Sequence, residues 1–305
     1  MIKTDVTDFN ERVHTNYLQK VNKEIRIMKY YLLIFTCFMT FVFANESIYK
    51  DTLLFPYLKP FSYEEVNTGL DKIDRVYVIN LDRRFYKWED TAYCLQSNGY
   101  NPIRFPAVDG WQISDETIKE LKLPSSSLGH GQVGCFLSHL SILHDAYQKN
   151  YKAIWILEDD IEFLEEIDID AFVEKLTNLD PEWDILYTDI DTKHPFFYNQ
   201  IMWIYNRPFI VYPRPEQKKK DYETYFERTK IDEDFTRIHL RYGGYSMLIS
   251  KRGIKKILDY CLDQKLYTPY DCDIHFIPGI RQYITNKDYV SVIPGWASDT
   301  KRFTP

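Results

Sequence analysis

Ile-Trp-Ile-Leu-Glu-Asp-Asp, residues 154–160, is an apolar run that ends abruptly in three adjacent carboxylates. A short continuous apolar run is typical of a strand buried on both faces of a parallel α/β sheet. Ligands of such sheets bind just beyond the carboxyl ends of the strands. The stretch therefore predicts a central strand whose end lies at a ligand site.

The three carboxylates are Glu158, Asp159 and Asp160. Neighbouring carboxylates repel one another unless a cation or solvent separates them. Since carboxylate-bound divalent cations commonly clamp a diphosphate, the cluster predicts a Mn²⁺ or Mg²⁺ site at Glu158 and Asp160 in an enzyme that acts on a nucleotide. A solvated acidic loop after the strand is the alternative interpretation.

Length and composition limit the possible classes of protein. The 305 residues, 45% of them hydrophobic, suit one large domain or two small ones. The net charge of -7 gives no sign of the basic surface that nucleic-acid binding needs. The five cysteines include no C-x-x-C pair, which argues against a zinc ribbon or a thioredoxin site. Four of them lie outside the apolar leader, as free thiols or as one or two disulfides.

The leader is an uncharged, almost wholly apolar segment, Tyr30–Ala44, preceded by Lys20, Lys23, Arg26 and Lys29. It is shorter than the ~20 residues of a membrane span and ends in Val-Phe-Ala, which predicts a signal peptide cleaved after Ala44. An uncleaved anchor is the alternative, and it would be the only membrane contact. In both cases the basic flank places the main domain outside the cytosol, in a secretory pathway or exported. A start at Met28 would make residues 1–27 an upstream extension.

The remainder alternates between strands and helices from Asp74 onward. Strands are predicted at residues 76–79, 103–108, 154–157, 183–187 and 245–250, and helices at 88–97, 136–147 and 254–261. This alternation is typical of an α/β sandwich with a mostly parallel central sheet. Residues 45–70 are predicted to be a linker or a surface-hugging segment, residues 71–305 the α/β domain, and residues 193–240 within it a long functional loop.

Two further groups of residues suit a phosphate-containing ligand. Arg83 and Arg84 closely follow the strand predicted at residues 76–79, and arginine binds phosphate in a bidentate manner. Residues 131–139, Gly-Gln-Val-Gly-Cys-Phe-Leu-Ser-His, combine glycines that allow close backbone approach with a histidine early on a helix. Solvated arginines and a structural His139 are the alternative interpretations.

Together these groups resemble glycosyltransferase family 25, which includes lipopolysaccharide β-galactosyltransferases and procollagen galactosyltransferases. The I-N-L-x-x-R-x-D-R motif of the family matches at residues 79–84, but Tyr86 and Lys87 replace its Asp and its second Arg. The later blocks A-V-D-G, G-E-I-G-C-x-x-S-H, L-E-D-D, G-G-Y…I-S-K-x-G, P-x-D and S-D match or nearly match at residues 107–110, 131–139, 157–160, 243–253, 269–271 and 298–299. Several ordered blocks are far more specific than any one of them.

The resemblance implies a GT-A-like fold, a nucleotide-sugar donor, UDP-galactose, and transfer with inversion to a hydroxyl group of a glycan or protein acceptor. We assign donor binding to residues of the early motifs and the acidic cluster: Asn80, Arg83, Arg84, Asp109, His139 and Asp159. Inversion by single displacement needs one general base, for which Asp271 and Asp273 are the candidates. Helix capping is their alternative role.

Some departures from the family keep other interpretations open. Asp189, with Asp191, stands where the family usually has a small residue, and the pair is a rival metal site or an acceptor-binding pair. A catalytically inactive, glycan-binding relative is one alternative function. A metal-dependent nucleotidyl or phosphoryl transferase is another, although the chain has no G-x-x-x-x-G-K-[ST] loop.

Overall fold

The computed structural model describes residues 23–32, 48–190, 214–215 and 227–293. The chain divides into two units, Met1–Asp51 and Thr52–Pro305. In the first unit, residues 23–32 are helical. None of the helices in the described ranges combines the length and the apolar character that crossing a membrane requires. The predicted cleavage after Ala44 falls outside the described residues and stays a prediction.

The second unit contains the predicted alternation of strands and helices. Its strands are β1 (Arg75–Asn80), β2 (Ile103–Pro106), β3 (Ala153–Glu158), β4 (Ile161–Phe163), β5 (Ile185–Tyr187), β6 (Arg228–Lys230), β7 (Phe235–Ile238), β8 (Ser246–Ser250), β9 (Gln282–Thr285) and β10 (Val290–Val292). Its α-helices are α1 (Phe85–Ser97), α2 (Asp115–Leu121), α3 (His130–Gln148), α4 (Ile169–Leu179), α5 (Lys251–Cys261) and α6 (Tyr270–Asp273). Short 3₁₀ turns lie at Phe55–Tyr57, Asp82–Arg84, Gly110–Gln112 and Ile274–Phe276.

Eight of these strands form one sheet in the order β2-β1-β3-β8-β5-β9-β7-β6. The pairings of β1 with β2 and β3, and of β5 with β9, are parallel, and the others are antiparallel. Six strands therefore share one direction, and only β7 and β8 run the other way. The predicted α/β architecture with a mostly parallel central sheet is confirmed. Strands β4 and β10 form a separate antiparallel pair.

Helices cover both faces of the sheet. On one face, Val76 and Trp155 belong to a core that includes residues of α1 and α4. Side chains alternate along a strand, so Tyr77 points to the opposite face, where its hydroxyl donates to Asp145 of α3 (2.6 Å). Ile249 also faces that side and packs beside Gly253 of α5. Full burial of each large apolar side chain in such layers stabilises the fold by about 1.5–3 kcal/mol.

Strand register brings the predicted site residues to one edge of the sheet. Ile79 of β1 pairs with Glu158 of β3, and Asn80 pairs with Pro106 of β2. Because these three strands are parallel, their carboxyl ends lie side by side. The early motif, the 107–110 turn and the acidic cluster therefore meet at this edge, although they are separated along the chain.

Of the two alternatives for residues 45–70, the described residues 52–70 have the contacts of a segment that packs on the domain. Leu54 is fully buried, its amide donates to the Leu262 carbonyl (2.9 Å), and the Lys59 amide donates to Ser141 Oγ (2.9 Å). Most of the predicted loop at 193–240 lies outside the described residues, but its described end contains β6 and β7, which extend one edge of the sheet. These strands have three and four residues, too few for a clear periodic signal.

The cysteines of the main body are free thiols in the described residues. Cys94, Cys135, Cys261 and Cys272 form no disulfide there, and Cys37 lies outside the described ranges.

Candidate functional site

A cleft of about 680 Å³, open mouth included, lies at the edge where the three parallel strands end. Six of the predicted site residues line it: Arg83, Asp109, His139, Glu158, Asp159 and Asp160. The other four, Asn80, Arg84, Asp271 and Asp273, lie outside this lining.

Two glycines allow the 107–110 turn to lie directly on the first turns of α3. A Cβ atom on Gly134 would come within 2.5 Å of the Gly110 nitrogen and of the Val108 carbonyl oxygen. Ser138 Oγ then accepts a hydrogen bond from the Val108 amide (2.8 Å). This close packing holds Asp109 against the helix that carries His139, so both side chains line one cleft.

The acidic cluster forms the floor of the cleft. Burial, and then the negative charges of Asp160, Asp159 and Asp271, raise the pKa of Glu158 to about 8. Asp159 is held in place from two sides: Asn80 Nδ2 donates to its carboxylate (2.6 Å), and Thr91 Oγ1 donates to its backbone oxygen (2.9 Å).

Lys87 is the residue of this site that the sequence did not assign. It is buried, and its Nζ lies 3.7 Å from both Asp159 Oδ1 and Asp160 Oδ2. Its signal in the sequence was its position, because it replaces the second Arg of the early motif. One ammonium group faces several carboxyl groups, so acidic groups remain in excess and the cleft suits a divalent cation.

Asn80 makes its side-chain contacts within the protein, and Arg84 lies outside the cleft lining. Asn80 is buried; its amide donates to Asp159 and to the Arg84 carbonyl (2.9 Å), and its Oδ1 accepts from Arg104 Nε (2.7 Å). Since the side chain is fully used within the protein, Asn80 positions Asp159. Arg83 fits the prediction better, because it lies at the cleft with its Nε 3.5 Å from Asp109 Oδ2.

His139 lies at the buried end of the cleft. Its ring stacks on Tyr270 with the centroids 4.2 Å apart. Burial lowers the pKa of His139 to about 3, so the imidazole is neutral at physiological pH. Burial, together with the charges of Glu158 and Asp271, raises the pKa of the nearby Cys135 thiol well above its ordinary value.

Asp271 lies close to this cluster. Its Oδ2 accepts a hydrogen bond from the Gly243 amide (2.7 Å), and burial raises its pKa. Its negative charge contributes to the raised pKa values of both Glu158 and Cys135, which reflects this proximity. A carboxylate with a raised pKa is a stronger base, so the environment of Asp271 suits proton abstraction.

The contacts of Asp273, the other candidate base, do not suit the predicted role. Its side chain is fully buried, and its carboxylate accepts hydrogen bonds from Nε (3.1 Å) and Nη2 (2.5 Å) of Arg214. A carboxylate enclosed by a guanidinium in this way cannot reach an acceptor hydroxyl group in the cleft. Asp273 therefore stabilises the fold, and Asp271 is the better candidate for the base.

We expect Asp273→Asn to destabilise the protein by about 3–5 kcal/mol, because it leaves the Arg214 guanidinium buried without a counter-charge. Urea unfolding followed by circular dichroism measures the change. Asp259→Asn is the control, since Asp259 is half exposed and pairs with Lys255 one helical turn away; it should change stability by less than about 0.5 kcal/mol. Similar unfolding free energies for both variants would contradict the structural role of Asp273.

In the rival acidic pair, Asp189 is already engaged by other side chains. Asp189 is buried and its Oδ1 lies 2.5 Å from Arg241 Nη1, while its Oδ2 accepts from the Tyr245 hydroxyl. The carboxylate is thus already neutralised by an arginine. Asp191 and the Ser298-Asp299 block lie outside the described residues.

Comparisons with known proteins agree with the motifs. The family model "Glycosyltransferase family 25 (LPS biosynthesis protein)" matches residues 73–274. A Drosophila melanogaster protein, "Glycosyltransferase 25 family member", is 37% identical over 101 residues, which are 30% of this chain and 16% of the relative. The human "Inactive glycosyltransferase 25 family member 3" is 32% identical over 131 residues, 37% of this chain and 21% of the relative. The human "Procollagen galactosyltransferase 2" is 26% identical over 127 residues, which are 37% of this chain and 20% of the relative.

The matched stretches thus span about a fifth or less of the length of these relatives. The family model, in contrast, covers 202 of the 305 residues, from 73 to 274, and includes the whole cleft. The chain belongs to glycosyltransferase family 25, and its mostly parallel sheet is of the α/β class that the resemblance implied.

Proposed function

We propose that the protein transfers galactose from UDP-galactose to a hydroxyl group of a glycan or protein acceptor, with inversion at the anomeric carbon. The observation that carries this proposal is the cleft itself, which unites the acidic cluster with Arg83, Asp109 and His139. The name of one matched relative, a procollagen galactosyltransferase, supports galactose as the sugar.

On the donor side, Glu158 and Asp160 would hold Mn²⁺ or Mg²⁺, and the bound ion would stabilise the charge that develops on the leaving diphosphate. Arg83, which lines the cleft, would bind a phosphate group. Lys87 fixes the orientation of the Asp159 and Asp160 carboxylates through its ammonium group. Asn80 holds Asp159 from the other side.

On the acceptor side, Asp271 would remove the proton from the attacking hydroxyl group. Single displacement needs only this one base. The hydrogen bond from the Gly243 amide fixes one carboxylate oxygen of Asp271 and so orients the side chain. A positioned base of this kind contributes about 10²–10⁴-fold to the rate of a proton transfer.

The departures from the family motif are compatible with an active enzyme. Tyr86 is 57% exposed, so the loss of the family Asp occurs at the surface. Lys87 keeps the positive charge of the arginine it replaces and lies among the cleft carboxylates. Asp189 is paired with Arg241 away from the cleft lining. These placements favour an enzyme over an inactive glycan-binding relative, and family membership favours glycosyl transfer over nucleotidyl or phosphoryl transfer.

We expect UDP to bind at least about tenfold more tightly with Mn²⁺ than in excess EDTA, a difference of about 1.4 kcal/mol, because a cation held by Glu158 and Asp160 would offset the negative charge of the diphosphate. Isothermal titration calorimetry measures both affinities. Uridine, which lacks the diphosphate, is the matched control and should bind equally with and without metal. Equal UDP affinity in the two conditions would remove the metal from the proposal.

Turnover identifies the donor and separates the alternatives. Purified protein with Mn²⁺ is offered UDP-galactose, UDP-glucose, UDP-N-acetylglucosamine, GDP-mannose and ATP, with and without an array of glycan and peptide acceptors. We expect release of UDP from UDP-galactose and its acceleration by an acceptor. ATP cleavage would point to a phosphoryl transferase, and glycan binding without any turnover to an inactive relative.

We also propose that the domain acts outside the cytosol, in a secretory lumen or after export. The basic residues before Tyr30 and the apolar run up to Ala44 support this location. N-terminal sequencing of the mature protein should give a chain that starts at Asn45. A soluble cytosolic chain that starts at Met1 or Met28 would contradict export and leave the proposed chemistry intact.

A further inference from the structure

We propose that Cys135, His139 and Glu158 form a binding site for a thiophilic divalent cation such as Zn²⁺. Filling this site would compete with the Mn²⁺ proposed at Glu158 and Asp160, because the two sites share Glu158. The competition rests on the proposed function, whereas the cysteine-containing site rests only on the geometry of its three side chains.

The three side chains converge from two elements. Cys135 and His139 are four residues apart on α3 and so lie on one face of the helix, while Glu158 is the last residue of β3. Cys135 Sγ, a ring nitrogen of His139 and a carboxylate oxygen of Glu158 all lie within 4.8 Å of one another. All three residues line the cleft, so a cation from solvent can reach them.

His139 supplies the second observation that points to a ligand. The residue is only 1% exposed, and its Nδ1 has no hydrogen-bond partner among the residues that the structure describes. Leaving a buried polar atom unpaired costs about 1–3 kcal/mol. Such atoms are rare in folded proteins and point to an ion or another partner at the site.

The ligand types decide which cation fits. A thiolate, an imidazole and a carboxylate are the ligands that Zn²⁺ takes in tetrahedral sites, where three protein ligands leave one open position. Mn²⁺ prefers carboxylate oxygens and binds a given site more weakly than Zn²⁺. The cluster therefore has an oxygen side, Asp159 and Asp160 with Lys87, and a sulfur–nitrogen side, and Glu158 stands between them.

A second acidic group in the structure shows the contrast. Asp232, Glu233 and Asp234 also bring their oxygens together, but Lys175 Nζ lies within 2.9, 2.7 and 2.5 Å of them. That group already has its cation in the form of a lysine, and it contains neither sulfur nor imidazole. It carries no metal site, and its residues serve as controls.

Cobalt is the probe for the proposed site, because Co²⁺ replaces Zn²⁺ and gives a thiolate-to-metal charge-transfer absorption in the near ultraviolet. We expect this band to saturate at one equivalent of CoCl₂ added to metal-free, reduced full-length protein, and to disappear when Zn²⁺ is added. Cys135→Ser should abolish the band and weaken Zn²⁺ binding more than about 100-fold, because it removes a metal ligand. Loss of a residue that only supports a ligand weakens metal binding by about 10–100-fold. Cys94→Ser, which alters a half-buried thiol on α1, should keep both.

Two further variants keep the test decisive if Cys135→Ser does not fold. Glu158→Gln should weaken Co²⁺ binding but retain the thiolate band, and Asp234→Asn should change neither. Absence of the band in the wild-type protein, or its persistence in folded Cys135→Ser, would overturn the site.

Competition is measured separately by electron paramagnetic resonance of Mn²⁺. One equivalent of Zn²⁺ should release bound Mn²⁺ into solution in the wild-type protein but not in Cys135→Ser. Retention of Mn²⁺ by Zn²⁺-loaded wild-type protein would overturn the competition. A protein that shows the cobalt band but binds no Mn²⁺ would refute the proposed cofactor and uphold the new site, so the two failures are distinguishable.

Discussion

Replacing Asp160 by Asn is expected to lower sugar transfer by at least about 100-fold, the low end of what one electrostatic contact to a developing charge supplies. Asp160 stands just beyond β3, lines the cleft and is the proposed metal ligand beside Glu158. The substitution keeps the size of the side chain and removes its negative charge. UDP affinity should fall along with the rate, because the cation that Asp160 would hold would also offset the charge of the bound diphosphate.

The measurements are the rate of UDP release from UDP-galactose and calorimetric UDP binding, both with Mn²⁺. Asp234→Asn is the matched control, because it also removes one carboxylate charge from an acidic cluster, but at a distance from the cleft lining. Its activity should equal that of the wild type. Full activity of a folded Asp160→Asn protein, or of the wild type in excess EDTA, is incompatible with the assigned metal site.

Replacing Asp271 by Asn is expected to lower transfer about 10²–10⁴-fold, the contribution of a general base. UDP binding should stay nearly unchanged, since the base acts on the acceptor and not on the donor. The amide keeps an oxygen that can accept from the Gly243 amide, so the local backbone should hold. Product formation with a saturating acceptor and UDP calorimetry measure the two effects.

Asp263→Asn is the control for Asp271→Asn, because Asp263 is exposed just after α5. It should behave as the wild type in both measurements. Normal turnover of Asp271→Asn would remove Asp271 from the mechanism, and a parallel loss of UDP affinity would reassign it to the donor side. The two substitutions are thus distinguished by UDP binding, which Asp160→Asn should lose and Asp271→Asn should keep.

The sequence predicted the centre of the fold because its signals are local. A short, fully apolar strand such as β3 needs burial on both faces, and the carboxylates after it mark its exposed end. The same reasoning located β1 and the glycine-rich start of α3. Since parallel strands end at one edge, the convergence of these three groups followed from the fold class alone. The packing of residues 52–70 could not be predicted from local sequence, because their contacts are with residues far along the chain, such as Leu262 and Ser141.

Strand direction is a property that the sequence left open. An apolar strand has the same pattern whichever way it runs, so β8 was found without any sign that it is antiparallel to both β3 and β5. Only hydrogen-bond pairing with its neighbours fixes the direction. The short strands β6 and β7 were missed for a related reason, since the sheet edge that orders them forms only in the folded chain.

The roles of individual charged residues also depended on the tertiary structure. Asp271 and Asp273 are two residues apart and equally suited to be a base from their sequence, yet Asp273 is paired with Arg214, 59 residues away. Lys87 was visible in the sequence only as a departure from the early motif, and folding brings it to Asp159 and Asp160. The amino-acid sequence thus determined which chemical groups the site contains, because the strand ends and the glycine-rich segment that carry those groups have local sequence patterns. Which of those groups remain available for a ligand was decided by long-range pairing of charges, because burial forces each one to find a partner.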